Sequence, residues 1–76
     1  MENENIKILF GKRLKKLRIK KGLTQEQVAE KLNIAERNIS KIECGDNFPR
    51  PDKLSKLATI LGVTVQDLFN FNHFDN

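Results

Sequence analysis

Apolar residues recur along this chain at intervals of three and four residues, the spacing of one face of an α-helix. The pattern first occurs at Ile6, Phe10, Leu14 and Leu17. It predicts helix 1 over about residues 5–20. We expect the helix to end at Lys21-Gly22, because a basic last turn suits the helix dipole and glycine accepts the left-handed conformation after a helix.

Two shorter helical patterns follow, separated by a break at Asn33-Ile34 that is too tight for a flexible loop. Their apolar faces consist of Val28, Ala29 and Leu32 in the first and of Ile39 and Ile42 in the second. Helix 2 begins at Thr24, which matches a capping box with Gln27, and helix 3 spans about residues 36–43. Helices this short cannot bury their apolar faces alone, so they must cross steeply on a common core. This pattern is typical of a helix-turn-helix, whose second helix enters the DNA major groove.

The rest of the chain predicts two more helices and an aromatic end. Helix 4 runs from about Pro51 to Leu61, since proline favours the first helical position. Thr64 caps a short helix 5, with Asp67 three residues later. The aromatic residues near the end are Phe69, Phe71 and Phe74. They either cover the core or form a partner surface. The fold class is therefore all-α.

Helix 3 presents polar side chains that are long enough to reach base edges. The candidates for base contact are Arg37, Glu36, Lys41, Asn38 and Ala35. Arg37 suits the O6 and N7 acceptors of guanine, and Glu36 suits the amino donor of cytosine. Lys41, one turn further on, can reach a guanine or a phosphate, whereas Ala35 can touch a thymine methyl group. Each of these residues is alternatively an ordinary solvated side chain.

Composition limits the class of protein. With 76 residues the chain is one domain over 1–76, with a core at about 6–69 and a Phe-rich tail at 70–76. No run of about 18 apolar residues or signal peptide is visible, and one cysteine suits a reducing cytoplasm. One cysteine and one histidine cannot form a structural zinc site, so we expect no metal and no cofactor.

The charge is unevenly distributed. Residues 1–21 hold eight basic and two acidic residues, a net charge of +6, whereas residues 22–76 hold six basic and eight acidic ones, a net charge of −2. A basic first helix suggests a polyanion partner, although a solvated helix face explains the charge equally well.

Four stretches together resemble the Cro/repressor-type helix-turn-helix regulators of bacteria and phages. They are R-L-K-K-L-R at 13–18, G-L-T-Q-E-Q-V-A at 22–29, I-S-K-I-E-C-G at 39–45 and L-S-K-L-A-T-I-L-G-V at 54–63. The resemblance covers about residues 10–69. It implies a compact five-helix fold like that of lambda repressor, with helices 2 and 3 forming the helix-turn-helix.

The resemblance also implies roles for residues outside the base-reading set. The expected phosphate contacts are Gln25, Ser40, Asn47, Arg50 and Arg13. The resemblance implies those of Gln25 and Arg50, although Gln25 is alternatively an ordinary surface residue. Arg13 would add longer-range attraction, Asn47 can donate to a phosphate, and Ser40 can equally well bond the local backbone. Arg18 and Glu43 match a partly buried ion pair that orients helix 3 against helix 1, with phosphate contact as a second role for Arg18. Asp46 departs from the basic residues common in the loop of relatives, which weakens the expected loop contact.

These observations favour a DNA-binding transcriptional regulator, most often a repressor in this family. We expect a homodimer on a near-palindromic site, because one recognition helix reads only a few base pairs. The expected dimer interface comprises Leu68, Phe69, Phe71 and Phe74. The alternative is an antitoxin-like interaction module with the same fold. An enzyme is not expected, since the sequence shows no nucleophile–base set and no phosphate-binding glycine loop.

Overall fold

The computed structural model describes residues 5–71, and all regular secondary structure in that part of the chain is helical. The helices are α1 (Ile6–Lys21), α2 (Gln25–Leu32), α3 (Glu36–Glu43), α4 (Pro51–Leu61) and α5 (Val65–Leu68). The predicted five-helix fold is therefore confirmed, and α3 and α4 have the predicted bounds.

Side-chain caps explain where three of these helices begin. The Asn5 side chain accepts a hydrogen bond from the backbone N–H of Lys7 at 2.8 Å. Thr24 and Gln27 form both bonds of the capping box, at 2.8 and 3.0 Å. The same reciprocal pair recurs before α5, as predicted from the spacing of the two polar residues. Each cap satisfies backbone donors that a helix leaves without intrahelical partners.

All five helices contribute to one apolar core. Its buried members are Phe10, Leu14, Leu17, Val28, Ala29, Leu32, Ile39, Ile42, Leu57, Ala58, Leu61 and Leu68. Ile6, predicted to extend the core face of helix 1, is instead 50% exposed. The core begins at Phe10, so the first turn of α1 extends beyond it. Val65, the first residue of α5, is also exposed.

The backbones of α1 and α3 lie close together at Gly11. A Cβ atom at this position would lie 2.4 Å from the carbonyl oxygen of Ile42 and 2.8 Å from that of Glu43. The absence of a side chain therefore lets the backbone of α3 rest directly on α1. This contact fixes the end of α3 and leaves its other face free.

Candidate nucleic-acid interface

The outward face of α3 is polar, whereas its inward face is anchored in the core. Ile39 and Ile42 are almost completely buried. The exposed residues are Ala35, Glu36, Arg37, Asn38 and Lys41. We call these five residues the reading face. The structure thus leaves all five predicted base-reading residues accessible to a ligand. Ala35 is the N-cap residue and makes no side-chain capping bond, so its methyl group is free to contact a ligand.

The turn between α2 and α3 is fixed by a single left-handed residue. Asn33 has φ +63°, a conformation that asparagine tolerates better than most residues. The N–H of Ile34 donates to the carbonyl oxygen of Ala29 at 3.0 Å, which closes the end of α2. Ile34 packs partly buried against the core. This arrangement sets the crossing of α2 and α3 without a flexible loop.

A hydrogen-bonded network joins α1, α2 and α3 beneath the reading face. Arg18 donates to both carboxylate oxygens of Glu43, with Nε–Oε2 2.6 Å and Nη2–Oε1 3.1 Å, and also to the carbonyl oxygen of Leu23 at 2.9 Å. The side chains of Arg18 and Glu43 are only 11% and 3% exposed, respectively. The structure therefore contains the ion pair that the resemblance implied.

Gln25 belongs to the same network, a role that its position in the sequence did not indicate. Its Nε2 donates to Glu43 Oε1 at 2.9 Å, and the residue is half-buried. Only the second N–H and the side-chain oxygen of this amide are left for another partner. The carboxylate orients the Gln25 side chain at the start of α2, the position where a phosphate contact was predicted.

Arg13, a predicted phosphate contact, makes a hydrogen bond within the protein. Its Nε donates to the carbonyl oxygen of Asp67 at 2.8 Å, so it ties α1 to the end of α5. At 100° per residue, Arg13 and Arg18 lie about 140° apart around α1. Because Arg18 marks the side of α1 that faces α3, Arg13 points to a different side of the molecule. No residue pattern indicated this backbone acceptor, which is 54 residues away along the chain.

The segment after α3 places two further candidate residues near the reading face. Asn47 and Arg50 are exposed, and together with Asn38 they line one cavity. The backbone N–H groups of Asp46 and Asn47 both donate to the carbonyl oxygen of Lys41, at 2.9 and 3.3 Å. These bonds hold the segment against the end of α3. Ser40, the remaining phosphate candidate, is half-buried.

Positive charge is concentrated beside the helix-turn-helix rather than within it. Residues 25–50 hold four basic and five acidic residues, whereas α1 holds eight basic residues and no acidic one. Arg18 and Arg13 are among those engaged within the protein, by Glu43 and by the carbonyl oxygen of Asp67. The field that attracts a polyanion therefore arises mainly from the lysines of α1.

Of the four predicted dimer residues, one is buried, two are half-buried and one lies outside the described residues. Leu68 is only 1% exposed, so the prediction that it contacts a partner is wrong: its side chain fills the core. Phe69 lies 5.2 Å from the ring centroid of Phe10 and 6.2 Å from that of Phe71, and both Phe69 and Phe71 are half-buried. They cover the core and keep one edge in solvent. Phe74 lies outside the described residues.

Within residues 5–71 there is no group of three or more potential metal-ligating side chains. The helices of that region are also too short or too polar to cross a membrane.

Comparison with known proteins places this geometry in a family. The family model described as helix-turn-helix matches residues 14–68. Control protein C.BamHI of Bacillus amyloliquefaciens is 33% identical over 73 residues, which are 95% of this chain and 90% of that protein. Several other curated relatives are longer, and the chain spans 60% or less of their length.

Solved structures show the same architecture. The restriction-modification controller protein C.AhdI from Aeromonas hydrophila aligns with a TM-score of 0.78 at 33% identity, covering 83% of this chain and 96% of that one. The biofilm master regulator SinR, solved in complex with DNA, aligns with a TM-score of 0.73 at 32% identity, covering 80% of this chain and 98% of that one. The chain therefore belongs to the helix-turn-helix family of Cro/repressor-type, DNA-binding transcriptional regulators.

Proposed function

We propose that this chain binds double-stranded DNA sequence-specifically, with α3 in the major groove, and that it acts as a transcriptional repressor. The observation that carries this proposal is the polar surface of α3, which stands free in solvent while Ile39 and Ile42 hold the helix to the core. The complex of SinR with DNA supports it, since that relative shares the fold. The major groove accepts one α-helix and presents a different donor and acceptor pattern for each base pair.

The exposed residues of α3 suit distinct base edges. Arg37, in the first turn, can donate two parallel bonds to guanine, and Lys41 reaches a guanine or a phosphate one turn later. Glu36 selects a cytosine amino group, Asn38 an adenine, and Ala35 a thymine methyl group. These contacts would specify sequence.

Contacts to the DNA backbone would set the register of α3 in the groove. We assign these contacts to Asn47 and Arg50, which are exposed on the segment after α3, and to the half-buried Ser40. Gln25 contributes through its remaining amide hydrogen and the N-terminus of α2. Arg50 pairs with Asp52 at 3.4 Å, but both side chains are largely exposed, so a phosphate can replace this carboxylate.

Two copies related by a twofold axis would read a near-palindromic site, with recognition helices about 34 Å apart. We place the dimer surface at the exposed side of α5, where Val65 is 39% exposed. The solvent-facing edges of Phe69 and Phe71 extend this surface. Leu68 supports it from inside the core.

Replacing Arg37 with alanine is expected to weaken binding to the selected operator by about 1–3 kcal/mol and to relax preference at one base position. The physical reason is the loss of two parallel hydrogen bonds to a base edge, which a wrong base cannot accept. The measurement is fluorescence-anisotropy titration against operators selected from random duplexes, with every base substituted in turn.

Arg50→Ala is the matched control for this substitution. It also removes a guanidinium group, but one that is expected to contact a phosphate instead of a base. It should weaken binding equally on all duplexes and reduce the slope of log affinity against log salt by about 1. Uniform weakening by Arg37→Ala would contradict the base-reading role. Absence of binding to every duplex at low salt would refute DNA binding altogether.

Sedimentation equilibrium at micromolar concentration is expected to give twice the mass of the chain. Val65→Glu should shift this species towards monomer, because two like charges would be buried at the centre of the interface. Gln66→Glu adds the same charge to the next exposed position of α5 and serves as the control. A wild-type chain that remains monomeric would remove the basis for a palindromic operator.

A further inference from the structure

A cavity of about 220 Å³ lies behind α3, between that helix, the segment that follows it and the first turn of α4. Its floor is apolar and includes Leu32, Ile42 and Phe48. The first two are buried core residues, and the ring of Phe48 is held 4.8 Å from that of Phe10. The floor is therefore part of the rigid core.

The rim of the cavity carries hydrogen-bond donors and positive charge. Lys53, Arg50, Asn38 and Asn47 line it, and no carboxylate is among the lining residues, although Asp52 pairs with Arg50 at 3.4 Å through an exposed contact that an anion can replace. Lys53 Nζ donates one bond to the carbonyl oxygen of Leu32 at 3.3 Å, which leaves two of its N–H groups for another acceptor. The rim therefore complements an anion, whereas the floor complements an apolar body.

The size of the cavity restricts the class of ligand. An apolar protein cavity of about 150 Å³ holds one benzene molecule, so this cavity accommodates an aromatic ring with one small substituent. Typical sites for larger ligands begin at about 300 Å³. We propose that the cavity binds a small aromatic monocarboxylate of the size of benzoate, with its ring on the apolar floor and its carboxylate against Lys53.

Such a ligand would compete with DNA. Asn38, Asn47 and Arg50 line the cavity and are also expected to contact the operator. A carboxylate at the rim would engage the donors that a phosphate or a base requires. This regulatory consequence rests on the proposed function, whereas binding of the carboxylate itself does not.

Titration of the full chain with benzoate, followed in its amide NMR spectrum, tests the binding site. Saturable shifts are expected around Ile34, Ile42 and Phe48, with a dissociation constant in the millimolar range. Lys53→Met, which keeps the aliphatic stem, should weaken benzoate about tenfold. Lys56→Met is the matched control, because Lys56 is an exposed lysine of the same helix that does not line the cavity.

Two related compounds separate the contributions of ring and charge. Benzyl alcohol, with the ring but no charge, and acetate, with the charge but no ring, should each bind at least about tenfold more weakly than benzoate. If acetate caused the same shifts as benzoate, the site would attract anions non-specifically, and the proposal would be overturned. No saturable shift with benzoate, or equal weakening by both lysine variants, would also overturn it.

A second measurement tests the regulatory consequence at constant ionic strength. Replacing acetate by benzoate should weaken operator binding by the wild type, and about tenfold more benzoate should be needed for the same effect on Lys53→Met. Benzoate binding with unchanged operator affinity would refute the competition. If no duplex binds, the proposed function fails, and the NMR titration still decides whether the cavity takes an aromatic carboxylate.

Discussion

Replacing Arg18 with methionine is expected to lower the free energy of unfolding by about 3–5 kcal/mol, because it strands the Glu43 carboxylate in the core. Glu43 has a side-chain exposure of only 3%, and within residues 5–71 the only other side chain that donates a hydrogen bond to it is that of Gln25. A chain of this size is stable by about 4–11 kcal/mol, so the loss is a large part of the total. Urea denaturation followed by far-UV circular dichroism measures it, since the chain has no tryptophan or tyrosine.

The double variant Arg18→Met/Glu43→Met separates the cost of an unpaired charge from the value of the pair. Two apolar side chains of similar volume remove both desolvation costs, so the double variant should recover most of the stability that the single one loses. The DNA affinity of the double variant should nevertheless be lower than that of the wild type, because Gln25 loses the carboxylate acceptor that orients its side chain. A double variant no more stable than the single one would show that the ion pair itself stabilises the fold.

The positions of the helices were predictable because local signals determine them. The hydroxyl caps at Thr24 and Thr64 and the proline at position 51 act within one turn of the chain. Asn33 ends α2 through its own backbone conformation. None of these signals depends on the rest of the fold, so the residue pattern is sufficient to locate them.

Contacts between distant residues were not predictable from the pattern. Arg13 was interpreted as a phosphate ligand, yet its partner is a backbone carbonyl oxygen on α5. Ile6 has the spacing of a core residue but lies where α1 extends beyond its neighbours. The outward face of α3 was predictable because short amphipathic helices leave only one polar side. The tertiary structure determines whether a side-chain donor is already bonded within the protein, as the Gln25 amide is to Glu43.

Gly11 illustrates how tertiary geometry reverses a local expectation. Helix propensity alone makes glycine about 1 kcal/mol worse than alanine in the middle of a helix, so Gly11→Ala would be expected to stabilise α1. In the structure, the added Cβ would lie 2.4 Å from the Ile42 carbonyl oxygen. Both close atoms of α3 belong to the backbone and cannot rotate away, so α1 and α3 must separate.

We therefore expect Gly11→Ala to destabilise the protein by about 1–3 kcal/mol, the usual cost of overpacking a closely packed site. Separation of α1 from α3 would also lengthen the Arg18–Glu43 contacts and displace the reading face. Operator affinity should consequently fall even at temperatures where the variant is fully folded. Urea denaturation and anisotropy titration of the same preparation measure the two effects.

Gly22→Ala is the control, because nothing lies within 4 Å of a Cβ at that position and only its φ of +80° opposes the substitution. It should cost about 1–2 kcal/mol through backbone strain, with little effect on operator affinity per folded molecule. The two alanine variants then differ in affinity although they are similar in stability. If Gly11→Ala were more stable than the wild type and bound the operator normally, α1 and α3 would have room for a methyl group. The close contact that sets the position of α3 would then be absent.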